Sequence, residues 1–157
     1  MTHTTDVQTT KSKENTDMTD VLGYHHMSLS VTDLGKSTEW YQQVLGLDVA
    51  AEIEGDGFRR TRLRAAGSGV TLTLTSHDQE SGEPFSERRP GMDHVAFKVG
   101  GVEAVEALKT RFEQLGVTHS EVKSRTTGTA MITLRDPDNI QIEVFGGPVD
   151  PAIAAGR

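Results

Sequence analysis

The sequence predicts an α+β fold built from two tandem βαβββ modules. Each half of the 157-residue chain opens on an alternating run, HMSLSV at 26–31 and HVAFKV at 94–99, and each run is followed by apolar residues at helical spacing and then by three short strand-like stretches. A histidine heads both runs at matching places, His26 and His94, so the halves read as one pattern performed twice.

In the first run Met27, Leu29 and Val31 form an apolar strand face, with His26, Ser28 and Ser30 on the other. This strand, expected over 24–32, leads into Asp33, the N-cap of a helix on which Leu34, Ser37, Trp40, Tyr41 and Val44 share one side. Trp40 and Tyr41 are expected to pack that helix, and Gly46 stops it. Strands are expected over 47–53, 58–64 and 70–75, separated by EGDG at 54–57 and AGSG at 66–69. Residues 76–91, with His77, Asp78, Glu80, Glu83, Glu87, Arg88 and Arg89, read as a solvated linker that reaches over a site.

The second half repeats the order. Val95, Phe97 and Val99 oppose His94, Ala96 and Lys98; the next helix carries Val102, Val105, Leu108, Phe112 and Leu115 on one face and ends at Gly116. Strands are expected over 118–122, 129–134 and 140–145, with Asp136-Pro137-Asp138-Asn139 as the last turn. The expected organisation is module one at 21–75, linker at 76–91 and module two at 92–147. Residues 1–20, rich in Thr, Asp and Lys, read as a disordered tail in which Met18 is an alternative start and His3 has no role; 148–157 form a second tail.

Composition narrows the function. A formal charge of −7 and a pI near 5.3 argue against nucleic acid, and no apolar run is long enough to span a bilayer. The chain has no cysteine, so any metal must be held by nitrogen and oxygen ligands. A cytoplasmic location, a small-molecule substrate and a homodimer are expected. On the last strand Ile140, Ile142 and Val144 oppose Gln141, Glu143 and Phe145, so two imidazoles and one carboxylate can converge. Two histidines with one carboxylate leave about three positions of an octahedral ion open, an arrangement suited to Fe(II) or Mn(II), with Ni(II), Co(II) or Zn(II) as other choices. His25 is expected to point away from His26, and His119 to lie at the surface. Arg60, Arg62 and Arg64 share a strand face that suits a substrate carboxylate or phosphate.

Four stretches, HMSLSVTDL at 26–34, WYQQVLGL at 40–47, GMDHVAFKV at 91–99 and DPDNIQIE at 136–143, together resemble the vicinal oxygen chelate superfamily of glyoxalases, extradiol dioxygenases, fosfomycin-modifying transferases and bleomycin-binding proteins. The resemblance implies curled mixed sheets around a cleft with helices outside, and metal ligands at His26, His94 and Glu143. The glyoxalase fourth ligand falls on Thr73, a poor ligand, with His77 on the same strand parity as an auxiliary ligand or base. Ser28 matches a substrate-contacting hydroxyl of the fosfomycin enzymes. The histidine and tyrosine that serve ring cleavage are missing from TGTAMITLR at 127–135. The resemblance also admits a swapped dimer, in which His26 of one chain meets His94 and Glu143 of another. The reading is a divalent-metal-dependent enzyme of lyase, isomerase or oxygenase type, with Glu143 or His77 as base. Its alternative is a metal-free protein that sequesters a small molecule or antibiotic.

Overall fold

The computed structural model describes residues 24–79, 82–126 and 128–148. The expectations for the tail at 1–20, for Met18 and His3, for the first residues of module one at 21–23, for Glu80 and for 149–157 lie outside the described residues.

The first half contains β1 (Met27–Ser30), α1 (Leu34–Leu45), β2 (Asp48–Gly55), β3 (Phe58–Arg64) and β4 (Thr71–His77). The second contains β5 (Val95–Val99), α2 (Val102–Gln114), β6 (Lys123–Arg125), β7 (Thr129–Arg135) and β8 (Gln141–Gly146). They make two four-stranded mixed sheets with matching orders, β1-β4-β3-β2 and β5-β8-β7-β6, in which only β1–β4 and β5–β8 are parallel. The shared order is the structural form of the repeated sequence pattern. None of the described helices is long and apolar enough to cross a membrane.

Local chemistry explains the boundaries. Asp33 accepts a hydrogen bond from the Lys36 amide at 2.9 Å, and Gly46 ends α1 in the left-handed conformation at φ 68°. Alternation then sets the faces: Leu63 on β3, Leu72 and Leu74 on β4, and Ile142 and Val144 on β8 are fully buried against Tyr41, Val44, Val105 and Phe112 of the helices. Two expected strands fall elsewhere. β1 begins only at Met27, because residues 24–26 have no strand partner and Tyr24 is 100% exposed. In place of a strand over 118–122 there is an isolated bridge from His119 to Leu134. Ser120 Oγ accepts the Thr133 amide at 3.0 Å, so a side chain takes the place of a ladder carbonyl and regular pairing resumes only at Lys123.

The turn at 136–139 fastens the modules together. Asp138 accepts from the Thr32 amide at 3.0 Å, from Thr32 Oγ1 and from Ser37 Oγ, while Tyr41 Oη donates to Asp136 Oδ2 at 2.9 Å. Asp136 also accepts from the Asp138 and Ile140 amides, which shape the turn itself. Burial raises the Asp136 carboxyl above its usual range and pushes the Tyr41 phenol well above its ordinary value, with the neighbouring Asp136 adding to the latter. The linker docks on the same turn. The Phe85 amide donates to Asp138 O, Asn139 Nδ2 donates to Phe85 O, and Glu87 forms a two-pronged ion pair with Arg135.

Candidate metal centre

The helix-free face of the first sheet gathers most of the residues singled out in the sequence. Ser28, Thr73 and Arg62 lie opposite one another across β1, β4 and β3, and Ser30, Thr75 and Arg60 form the next row. Ser28 Oγ is 3.1 Å from Thr75 Oγ1, and Arg60 Nε donates to that same oxygen at 3.2 Å. The Arg60 guanidinium also lies 4.0 Å from the centre of the Phe58 ring. Arg62 Nε and Thr73 Oγ1 are buried without a hydrogen-bond partner. His77, opposite Phe58, ends the face and is exposed. It lines a cavity of about 540 Å³ between β1 and the linker, together with Ser28, Ser30, Phe85, Arg89 and Met92.

On the second sheet Glu143 is half-buried between Ala96 and Thr133. His94 stands immediately before β5, and its Nδ1 is bonded to Asp93 Oδ1 at 2.6 Å. That bond leaves Nε2 as the nitrogen available to a ligand and fixes the ring's orientation. His26, immediately before β1, has its Nδ1 2.8 Å from His25 Nδ1, with the rings edge to face; one of the two rings donates, and a proton on His26 Nδ1 leaves its Nε2 for a ligand as on His94. His25 therefore does not point away. Strand alternation does not reach these positions because β1 starts at Met27 and β5 at Val95, so adjacent residues can turn toward each other. For the same reason the sequence reading passed over Asp93; an acidic residue directly before a candidate ligand histidine was the available signal.

Within one chain the three expected ligands are not brought together. Among the described residues no three His, Asp or Glu side chains cluster tightly enough to hold an ion. β1 meets the second module at its C-terminal end, through Thr32 and Asp138, whereas His26 lies six residues back, about 20 Å at strand rise. His77 is equally remote from His26: the register carries His26 opposite Thr71, six residues and again about 20 Å along β4.

The family model for the Glyoxalase/Bleomycin resistance protein/Dioxygenase superfamily matches residues 23–144. The chain belongs to that superfamily. Among its relatives, the putative ring-cleaving dioxygenase MhqA of Bacillus subtilis is 30% identical over 121 residues, 74% of this chain but only 37% of that protein. The probable lactoylglutathione lyase of Vibrio cholerae is 29% identical, with 76% of this chain and 87% of that protein aligned. A crystal structure of a glyoxylase/bleomycin resistance protein/dioxygenase domain from Frankia sp. EAN1pec superposes with a TM-score of 0.75 at 29% identity, covering 82% of this chain and all of that one. The repeated sheets and outward helices are thus the superfamily's fold.

Proposed function

We propose that the chain is a divalent-metal-dependent enzyme acting on a small oxygen-bearing substrate, with an ion held by His94 and Glu143 of one chain and His26 of a second copy. The observation that carries the reading is the paired arrangement of the two histidines at the heads of β1 and β5, each with its Nδ1 against the side chain of the residue before it, so that with the proton on Nδ1 it is Nε2 that meets a ligand. The donor set of two imidazoles and one carboxylate suits Fe(II) or Mn(II). A divalent ion bound there supplies Lewis-acid polarisation of adjacent substrate oxygens.

A second copy follows from where His26 sits. β1 and β5 are outer strands of their sheets, and next to His26 the side chains of Tyr24 and Met27 stand in solvent. A homodimer that covers this end of β1 would bring His26 to the partner's second sheet. Proton transfer is the favoured chemistry. The helix-free face of β7 presents Met131, Thr133 and Arg135, none of which exchanges a proton near neutral pH, whereas Glu143 lies directly opposite Thr133, and a carboxylate that gives one oxygen to the ion keeps the other to accept a proton. The two relatives named above bracket the reaction types: a lyase and a ring-cleaving dioxygenase.

The test is elemental analysis of untagged protein purified without chelators. Near-stoichiometric iron or manganese is expected, lost in His26→Ala, His94→Ala and Glu143→Gln alike. Failure to take up any divalent ion on reconstitution overturns the reading and leaves a metal-free binding protein.

A further inference from the structure

The helix-free face of the first sheet carries two arginines in a chain that is acidic as a whole. Arg62 has Ala51 and Thr73 as its cross-strand neighbours, and Arg60 has Ile53 and Thr75, so neither arginine faces a carboxylate. Among the described residues no ion pair involves either side chain. Yet both are partly withdrawn from water, and Arg62 Nε is fully buried with its hydrogen unpaired. Beside it Thr73, only 3% exposed, also has an unpaired hydroxyl. Buried donors are nearly always satisfied, because leaving one unpaired forfeits its hydration with no return. Two orphaned donors side by side, one cationic, are complementary to an oxyanion.

We propose that Arg62 and Thr73, with Arg60 beside them, form a subsite for an oxyanionic group of the substrate, a carboxylate or a phosphoryl group. This rests on the proposed metal-dependent enzyme, whose substrate would lie against these helix-free faces, and it deepens it: the substrate is an anion, and these residues decide its class. Two features prepare the subsite. Arg60 is held in place by Thr75 Oγ1 and the Phe58 ring, so its charge is positioned before any ligand arrives. Arg62 and Thr73 lie in the row that ends at Ser28, two residues after His26, so the subsite is about two strand spacings, roughly 10 Å, from that histidine's strand. A small molecule can span that distance with its oxyanion on the arginine and its chelating oxygens at the histidines.

The probes are inorganic phosphate and malonate, titrated into chelator-treated protein and read by thermal shift and calorimetry, so that the measurement does not depend on a metal. At least one of them is expected to stabilise the wild type, and which one does so distinguishes a phosphoryl from a carboxylate site. Arg62→Met keeps the apolar stem and removes the guanidinium; Thr73→Val removes the hydroxyl at nearly constant volume. Each is expected to weaken the anion at least tenfold while leaving the Tm without anion unchanged or raised, since an unpaired buried donor is lost. An arginine that merely packs would instead lower that Tm and leave the anion response intact. His94→Ala is expected to keep the full anion response, whatever becomes of its metal. The proposal is overturned by a wild type that answers to neither anion, by equal responses in the wild type and both variants, or by a response lost in His94→Ala and kept in Arg62→Met.

Discussion

Tyr41 was legible from the sequence as a helix-packing residue, and it is fully buried, but its hydrogen bond to Asp136 was not. That bond joins residues 95 positions apart and depends on how one module docks on the other, which no local pattern encodes. Its consequence is a pH dependence with a definite sign. The folded-state pKa of Tyr41 is raised, so the folded chain keeps the proton after the unfolded chain, with a tyrosine of ordinary value near 10, has lost it. The stability this confers is fully present below about pH 10 and falls as pH rises beyond it. Tyr41→Phe is therefore expected to cost about 1–3 kcal/mol at neutral pH, because the buried Asp136 loses a donor. The same variant should show a shallower decline of stability between pH 9 and 11, seen in urea unfolding across that range; an unchanged slope would mean that the phenol is not held protonated by this burial.

At the level of elements, periodicity and caps located both helices, and alternation located most strands, because each signal is local. Close approaches between elements are different, since they leave only a glycine as their trace. Gly146, at the end of β8, has Gly101 at the mouth of α2 against it: a Cβ there would lie 2.2 Å from Gly101 O and 2.7 Å from Val105 Cγ2. Backbone and a fully buried valine cannot yield far, so Gly146→Ala must push the helix off the sheet or bend the strand. The expected loss is about 1–3 kcal/mol, which for a chain of this length lowers Tm by roughly 2–4 °C per kcal/mol. Gly69→Ala is the control, with nothing within 4 Å of the added methyl, and should leave Tm nearly unchanged in the same calorimetric scan. Comparable losses in both would show that the tight β8–α2 contact is not what Gly146 serves.

Across the whole molecule, strand parity placed Glu143 on the helix-free face of its sheet and the repeat placed His26 and His94 at equivalent ends of β1 and β5, yet the number of chains needed to unite them was beyond the sequence. Module docking decides that. The clasp of Asp136 and Asp138 onto α1 sets β1 against the second module at its far end, about 20 Å from His26 by strand rise. A mixing experiment separates the two arrangements. If each metal site is completed within one chain, then in a mixture of His26→Ala and His94→Ala chains every site carries a lesion and none recovers. If the site is shared across a two-fold axis, a mixed dimer pairs the intact His26 of one variant with the intact His94 of the other, and its second site carries both lesions. Random reassortment makes half the dimers mixed, so metal content is expected to return to about one quarter of the wild-type value, whereas each variant alone stays empty. A mixture that reassorts, verified by mass spectrometry of the intact dimers, and still binds no metal would rule out the shared site.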